Sequence, residues 1–372
     1  MLRRLSPTER VWLTADALGA PFNLTLVVQG RGLERERVEE AVAQVAEANP
    51  SARGRPEGVL GWTRWVDSGQ PPPVLERPLP VPGPVDERRL LGDGPGIELD
   101  LCDMGLAIRA HHAQMDGRGL WFFAEELFRA LRGEELLGSE ASHTDQDLAG
   151  EGDASAPIED DLAATGEHNG ETWPVWAQRR VEGRWSQLLG RLGVAVAEHV
   201  RSREPRGQVG LQVPVDLREG RRTLNNMTGL LRLEVPEKPT PELLSAQLRG
   251  RIERGEPQAW LRSARPVTWM PLWLMEMGGR SKAQEHIQRS RFGGSAVLSN
   301  LGRVDLRALD APGFGCERCF WIPPCGPSTA AFVGLLGDDQ GVEIVTVMPL
   351  GLGSDGRQDA FLDALVGALR QD

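Results

Sequence analysis

An acidic stretch divides this chain into two parts that each mix strand and helix patterns. Between Gly133 and Glu171 there are twelve Asp and Glu residues, no Lys or Arg, and few large apolar side chains. Such a segment buries too little apolar surface to offset the entropy lost on ordering. We therefore predict a flexible acidic linker over 136–172 between an N-terminal lobe, 1–135, and a C-terminal lobe, 173–372; an interaction segment is the alternative.

The composition restricts the partners and the location of the protein. The 372 residues carry a formal net charge of −11, which argues against a nucleic-acid-binding surface. No apolar run reaches the roughly 18 residues of a membrane span. The N-terminus lacks the apolar stretch and the cleavage site of a secretory signal. We expect a cytoplasmic protein without a membrane span, with enough apolar residues (40%) for a sizeable core.

The four cysteines do not form a convincing metal site. Cys316 and Cys319 have the spacing of zinc ligands and Cys325 follows them, but the nearest histidine, His286, lies thirty residues before Cys316. A structural zinc ion takes four ligands. We therefore expect no bound metal and no disulfide framework, and we interpret these residues and Cys102 as ordinary buried thiols.

Hydrophobic periodicity predicts strands and helices on both sides of the acidic segment. Before it, the pattern predicts strands over 23–30, 61–66 and 106–110, and helices over 34–49 and 120–132. After it, the pattern predicts helices over 181–203, 242–254 and 359–369, strands over 208–213, 230–235 and 294–301, and a hairpin of strands 330–336 and 342–348. Mixed elements in both parts indicate two α/β or α+β lobes.

Two adjacent histidines follow the strand predicted over 106–110. His111 and His112 precede Asp116 and Gly117 in the run HHAQMDG. Because side chains alternate along a strand, one imidazole faces the core and the other faces the loop side. A neutral imidazole at a cleft accepts a proton from an attacking hydroxyl or amine near neutral pH. Since Asp and Gly accompany the pair, we favour a catalytic site over two buried structural histidines.

The run HHAQMDG resembles the HHxxxDG signature of the condensation-domain superfamily. That superfamily comprises nonribosomal peptide synthetase condensation domains, wax ester synthases, polyketide-associated acyltransferases and, more distantly, chloramphenicol acetyltransferase. Further resemblances follow in the family's order: the opening helix signature (5–9), the HPxLR helix end (47–53), the PVxLR strand end (214–218), the GNxxG loop (226–229) and the SNLG turn (299–302). Together these landmarks cover most of the chain.

The resemblance implies acyl transfer at the interface of two lobes. The family's fold has two chloramphenicol-acetyltransferase-like lobes in a V-shaped pseudo-dimer, with a tunnel between them and the second histidine of the motif at its middle. His112 would be the base that assists the attack of the acceptor on a thioester carbonyl, and His111 would support the geometry of the motif. Asp116 would be structural, in a salt bridge with Arg218, because a buried carboxylate needs a partner.

Backbone and turn groups are candidates for stabilising an oxyanion in such a reaction. The backbone N–H of Gly117 and the turn at Ser299 and Asn300 have the required hydrogen-bonding groups. For Ser299 and Asn300 alone, an ordinary turn with no catalytic part is an equally good interpretation.

Three tryptophans lie close together in the second part of the chain. Trp260, Trp269 and Trp273 share their segment with three methionines. We expect core positions for these side chains. The alternative is an apolar substrate wall for an acyl chain or an aromatic group.

The set of motifs predicts a free-standing acyltransferase of natural-product biosynthesis that forms an amide or an ester. Its donor would be acyl-CoA or a phosphopantetheinyl acyl or peptidyl carrier protein, its acceptor a small amine or alcohol, and it would hold no bound cofactor. One alternative is a non-catalytic relative that docks a carrier protein or a partner enzyme. Another is a CoA-dependent O-acyltransferase that forms a lipid or alcohol ester. The DFGW signature of chloramphenicol acetyltransferases and plant acyltransferases is absent, which disfavours those branches.

Overall fold

The protein alternates strands and helices along its length. The computed structural model describes residues 2–58, 62–92, 94–151, 161–326 and 328–370. In these ranges the strands are β1 Arg3–Arg4, β2 Asn23–Gln29, β3 Gly54–Glu57, β4 Arg64–Asp67, β5 Val74–Glu76, β6 Gly83–Pro84, β7 Ile97–Cys102, β8 Gly105–His111, β9 Asp161–Leu162, β10 Pro174–Glu182, β11 Gly210–Asp216, β12 Thr228–Glu234, β13 Arg291–Phe292, β14 Ala296–Arg303, β15 Arg318–Ile322, β16 Phe332–Gly337 and β17 Gly341–Pro349. The α-helices are α1 Pro7–Leu18, α2 Arg35–Ala48, α3 Gly117–Leu131, α4 Leu188–Arg201, α5 Pro241–Glu253, α6 Glu256–Ser263, α7 Leu272–Arg289, α8 Leu350–Gly353 and α9 Arg357–Arg370.

A five-stranded sheet carries the histidine pair at the end of β8. Its order is β15-β2-β8-β7-β5, and all pairs are antiparallel except β5 with β7. Leu26 and Val28 of β2 join the core formed with α2 and α3. Val27 points to the other face, where it packs with Val345 and Val347 of β17. Because both faces of β2 are buried, its sequence is a continuous apolar run and not an alternating one.

A seven-stranded sheet forms the second lobe. Its order is β12-β11-β14-β16-β17-β10-β6, with parallel pairing of β14 to both β11 and β16. Helices α4 and α9 cover one face, where Val196 and Phe361 are fully buried with Val333 and Ile344 of the sheet. The predicted antiparallel hairpin is confirmed as β16 and β17.

Each sheet also includes a strand from the other part of the chain. β6, which precedes the acidic segment, pairs with β10 in the second sheet, and β15, which follows it, pairs with β2 in the first. Two sheets with their own helices confirm the predicted two-lobe α/β architecture. The lobe boundaries at residues 135 and 173 stay a prediction.

Parts of the acidic segment make defined contacts. Asp145 is 1% exposed, and the fully buried Asp161 forms an ion pair with Arg232 at 2.6 Å. A buried carboxylate is tolerated when a cation compensates its lost hydration. Residues 152–160 lie outside the described residues, and the flexibility of 136–172 stays a prediction.

The helix predicted over 181–203 begins later than expected. Val181 and Glu182 are the last residues of β10, which pairs along its whole length with β17, and the helix α4 begins at Leu188. Gly183, with a φ of 130°, follows the strand directly. The prediction was wrong there because a short apolar run fits either periodicity until its pairing partner is known. Within the described ranges, no helix is both long and apolar enough to cross a membrane.

Candidate active site

A cavity of about 300 Å³ lies between the two sheets and reaches His112. Six residues singled out in the sequence line it: His112, Asp116, Gly117, Trp260, Ser299 and Asn300. Much of the remaining wall is apolar and includes Trp12, Phe22, Leu24, Trp321 and Phe332. An apolar cavity with a few polar groups is the usual form of a small-molecule site.

The ring of His112 is half-buried and held by three neighbours. Its Nδ1 lies 3.1 Å from the backbone oxygen of Met115. Since a carbonyl oxygen only accepts, Nδ1 carries the proton and Nε2 is the basic nitrogen of the neutral ring. The ring also stacks on Trp12, with centroids 4.9 Å apart and planes 7° apart, and on Phe22 at 5.5 Å and 20°. These contacts fix both the tautomer and the orientation of the imidazole.

Burial sets the protonation state of His112. It lowers the pKa of the imidazole below the ordinary value of 6.5, and this effect outweighs the contact with Met115 and the charge of Asp116, which both raise it. The ring is therefore neutral near pH 7. A neutral imidazole is the form that accepts a proton.

His111 points away from the cavity that His112 lines, so the two imidazoles face opposite sides as the alternation of side chains predicts. Its ring is fully buried. Its Nδ1 accepts a hydrogen bond from the backbone N–H of Ala113 at 3.0 Å, and its Nε2 lies 3.4 Å from Oδ1 of Asp16. His111 is therefore part of the frame of the motif.

Asp116 and Arg218 form the ion pair expected from the resemblance. Nη2 of Arg218 lies 2.6 Å from Oδ1 of Asp116, and Nη1 lies 3.2 Å from Oδ2. The same carboxylate accepts hydrogen bonds from the backbone N–H groups of Gly119 and Met227 and from the hydroxyl of Thr228. Asp116 thereby caps the N-terminus of α3 and joins it to the ends of β11 and β12.

These contacts keep the Asp116 carboxyl charged. Burial alone would raise its pKa, but Arg218 and the hydrogen bonds outweigh burial and lower the pKa below its ordinary value. A carboxylate with all its acceptor positions occupied has no proton to give near neutral pH. The geometry therefore favours a structural part for Asp116.

Gly117, Ser299 and Asn300 lie on a further part of the cavity wall. A Cβ at Gly117 would come within 2.7 Å of Leu301 Cδ2, so the end of the Leu301 side chain would have to shift to accommodate it. Ser299 and Asn300 lie within β14, which confirms the strand predicted over 294–301, and the turn expected at these two residues does not form. The strand continues past them because its pairing with β16 resumes after an irregularity in register. Oδ1 of Asn300 accepts a hydrogen bond from the backbone N–H of Gly302 at 2.9 Å.

Sequence reasoning did not assign a role to three residues around His112. Trp12 and Phe22 form the stack on its ring, and Asn226 donates from Nδ2 to the backbone oxygens of His112 and Ala113 at 2.9 and 3.0 Å. Asn226 belongs to the stretch that resembles the GNxxG loop, which was the available signal for it. Nothing in the sequence near Trp12 or Phe22 points to a histidine about 90 residues away; only the packing of α1 and β2 brings them there.

Solved structures with the same arrangement of elements share little sequence with this chain. The starter condensation domain of rhizomide synthetase RzmA, as a double mutant in complex with C8-CoA and Leu-SNAC, matches with a TM-score of 0.63 and 16% identity over 99% of this chain and 94% of that one. The first condensation domain of the calcium-dependent antibiotic synthetase, in complex with a substrate analogue, matches at 0.61 and 15% over 99% and 95%. Polyketide synthase associated protein 5 from Mycobacterium tuberculosis matches at 0.58 and 15% over 99% and 97%.

The chain has the condensation-domain fold. No protein-family model matches the sequence, and the search of curated proteins finds no match. At this low identity the likeness establishes the fold, and the predicted resemblance is confirmed at that level.

The sequence landmarks lie at the ends of elements in this condensation-domain fold. Ser6 and Glu9 form the capping box that begins α1. The PVxLR-like residues end β11 and bring Arg218 to Asp116. Residues 226–229 lie at the start of β12, directly beside the histidine motif.

Of the three tryptophans expected in the core, none is buried. Trp260 of α6 is half-buried and lines the cavity, as the alternative interpretation has it. Trp269 and Trp273 are each 63% exposed, so the core prediction was wrong for them. They lie at the start of α7 and in the 3₁₀ turn before it, where the exposed ring of Trp62 meets Trp269 edge to face.

Of the four cysteines predicted to be buried, two are buried in this condensation-domain fold, and Cys102 and Cys316 are half-buried, so the prediction was wrong for those two. Cys319 and Cys325 are buried, and burial raises the pKa of the Cys325 thiol to about 12. Among the residues that the structure describes, no group of three or more His, Cys, Asp or Glu residues is placed to hold a metal ion.

Proposed function

We propose that this protein is a condensation-type acyltransferase that moves an acyl group from a thioester to an amine or a hydroxyl group. The arrangement of His112 carries this proposal. Its Nδ1–H is committed to Met115, its ring is neutral, and it lines a cavity formed by both sheets. Such an imidazole acts as a general base, whereas a protein that only docks a partner needs no basic group at this place.

The proposed step is a direct transfer with His112 as the proton carrier. Nε2 takes the proton of the acceptor while the acceptor nitrogen or oxygen forms a bond to the thioester carbonyl carbon. The carbonyl becomes an oxyanion in a tetrahedral intermediate. When the intermediate collapses, the C–S bond breaks, and the sulfur leaves with the proton that His112 returns. The products are an amide or ester and a free thiol.

The oxyanion would be stabilised by hydrogen-bond donors that line the same cavity as the base. We propose the backbone N–H of Gly117, at the positive end of α3, as one donor. The hydroxyl of Ser299 and the amide of Asn300 are further candidates because both residues line the same cavity. None of these groups requires Asp116 to change its protonation state.

The thioester donor is acyl-CoA or an acyl group on the phosphopantetheine of a carrier protein. The structurally similar starter condensation domain of rhizomide synthetase RzmA was solved as a double mutant in complex with C8-CoA and Leu-SNAC. That complex supports the proposal of a thioester substrate. The apolar rings around His112 suit an aliphatic or aromatic acyl group, and the acceptor is a small amine or alcohol. No cofactor takes part in the proposed step.

A mass-spectrometric screen tests this proposal. Acyl-CoA and acyl-carrier donors are incubated with panels of amines and alcohols, and products are compared between the wild type and His112→Ala. We expect a product whose mass equals donor acyl plus acceptor, formed by the wild type and lost in the variant. A product formed equally by both proteins would show that His112 is not the base.

The activity should depend on the neutral form of His112. Since burial lowers the pKa of this imidazole, we expect the acid limb of the kcat/KM profile to have its midpoint below pH 6.5. Activity is then full above that midpoint and falls as the pH drops through it. Initial rates between about pH 4.5 and 8 measure this, and a midpoint clearly above 6.5 would contradict the assignment.

Trp260 should limit the size of the acyl group. Replacing it by alanine removes an indole from the cavity wall, so we expect the ratio of kcat/KM for a long over a short acyl donor to rise about 10-fold or more. Trp273→Ala is the matched control, because that indole is 63% exposed and lies outside the cavity wall. If this kcat/KM ratio is the same in Trp260→Ala and Trp273→Ala, Trp260 does not contact the acyl group.

A further inference from the structure

One face of α1 lies along the histidine motif. Thr8, Trp12 and Asp16 are spaced four residues apart, and this spacing places them on the same side of a helix. Thr8 and Trp12 line the cavity, and Trp12 stacks on the ring of His112. Asp16, one turn further along, reaches His111. A single helix face therefore contacts both imidazoles.

The carboxylate of Asp16 has several partners. Its Oδ1 accepts a hydrogen bond from the backbone N–H of Phe22 at 2.9 Å and lies 3.4 Å from Nε2 of His111. Its Oδ2 lies 2.6 Å from Nη1 of Arg89. The Arg89 guanidinium also donates to two backbone oxygens, from Nη1 to Asp16 and from Nη2 to Gly19. Burial would raise the pKa of Asp16, but these contacts outweigh it and lower the pKa. The group is a charged, oriented acceptor.

The contacts of His111 define its tautomer. Nδ1 accepts from the N–H of Ala113, so it carries no proton, and the neutral ring must hold its proton on Nε2. Oδ1 of Asp16 lies 3.4 Å from this nitrogen, within ion-pair distance but without the alignment of a hydrogen bond. Without the carboxylate, the N–H of this fully buried ring would lose the negative charge beside it, and the ring could rotate or change tautomer.

The same carboxylate supports both sides of His112. The backbone N–H of Phe22 donates a hydrogen bond to Asp16. The backbone oxygen of Phe22 accepts a hydrogen bond from the backbone N–H of His112 at 2.9 Å, and its ring stacks on the His112 imidazole. His111 precedes His112 in β8. Asp16 thus orders the residue before the proposed base and the aromatic ring beside it, without touching the cavity.

We propose that Asp16 is a positioning residue for His112, acting through His111 and Phe22. The inference rests on the proposed function of His112 as base. It assigns a role to a residue outside the HHxxxDG motif, and it makes Arg89 the cation that orients the Asp16 carboxylate.

Kinetics of three variants test the proposal. Asp16→Ala should lower kcat by roughly 10- to 100-fold with KM changed less than about 2-fold, because the base is displaced while substrate contacts remain. Asp16→Asn should recover only part of kcat, since its Oδ1 still accepts from Phe22 but its Nδ2 cannot accept from Arg89. Asp67→Ala is the matched control: Asp67 also pairs with an arginine, Arg53, and accepts a backbone N–H, that of Gly69. Wild-type kcat in Asp16→Ala would overturn the proposal.

NMR of the histidine side chains tests the positioning role of Asp16 without a measurement of enzyme activity. With ¹⁵N-labelled histidine, two-bond correlations should show His111 as a single Nε2–H tautomer in the wild type and in Asp16→Asn, assigned by His111→Gln among the six histidines. In Asp16→Ala we expect a mixture of the two neutral tautomers at His111 and shifted signals at His112. Unchanged signals at both rings would overturn the positioning role. If no donor and acceptor pair reacts, the proposed function fails while the NMR result still decides the role of Asp16.

Discussion

Replacing His112 by alanine should reduce acyl transfer by roughly 10²- to 10⁴-fold, the usual loss when a general base is removed. The loss should appear mainly in kcat, because the acceptor still enters the cavity but no group takes its proton. The measurement is the steady-state rate of thiol release, followed with a thiol-reactive dye, on a donor and acceptor pair that the mass-spectrometric screen identifies.

The matched control for that experiment is His143→Ala. His143 pairs with Glu140 at the surface, and its ring is 30% exposed and lies outside the cavity wall. We expect its rate to equal that of the wild type. A His112→Ala variant that retains more than about a tenth of the wild-type kcat would contradict the role of His112 as base.

Of the two arginine variants Arg218→Ala and Arg53→Ala, Arg218→Ala should lower the free energy of unfolding more. Arg218→Ala leaves the Asp116 carboxylate buried without its cation, and breaking a buried pair in this way costs about 3–5 kcal/mol of unfolding free energy. Arg53→Ala, which breaks the more exposed pair with Asp67, should cost less than about 1 kcal/mol. Urea unfolding followed by tryptophan fluorescence measures both.

The loss in Arg218→Ala should depend on pH with a definite sign. In the wild type the folded pKa of Asp116 is lowered, so the contribution of this group is present above its unfolded pKa and disappears as the pH falls through the folded value. In the variant, burial without the cation favours the protonated carboxyl. The difference in unfolding free energy between the two proteins should therefore be largest near pH 7 and should narrow towards pH 4. A difference that stays constant over this range would show that lost packing, and not charge, is responsible.

A double variant separates the ion pair from the shape of the site. Asp116→Asn with Arg218→Met removes both charges and keeps similar volumes. Because no uncompensated charge remains, we expect it to be more stable than Arg218→Ala. If it is less stable, the backbone hydrogen bonds of the carboxylate matter more than the pairing with Arg218.

The local patterns of the sequence predicted much of this site. Alternation of side chains at the end of β8 predicted that the two imidazoles face opposite sides, and the resemblance to HHxxxDG predicted that His112 is the one at the cavity. The resemblance to HHxxxDG and PVxLR predicted the pair of Asp116 with Arg218 across about 100 residues. Both statements needed only a motif and the geometry of one strand.

Other residues were misjudged because their surroundings are set by distant parts of the chain. Trp269 and Trp273 have the composition of a core segment, but the short turn before α7 leaves both rings exposed. Ser299 and Asn300 are residue types common in turns, yet pairing with β16 keeps them in the strand that periodicity predicted over 294–301. No role was predicted for Asp16 or Trp12, because only the packing of α1 brings them beside the histidines.

The sequence by itself determined two features of this protein: a histidine pair at a strand end and two lobes of mixed elements. Those properties follow from side-chain type and local periodicity, which are short-range. Only the tertiary structure decided which nitrogen of His112 is basic, how burial lowers its pKa, and which groups hold its ring. Those properties depend on Met115, Phe22 and the face of α1 meeting in one place, and such contacts arise from packing between elements far apart in the chain.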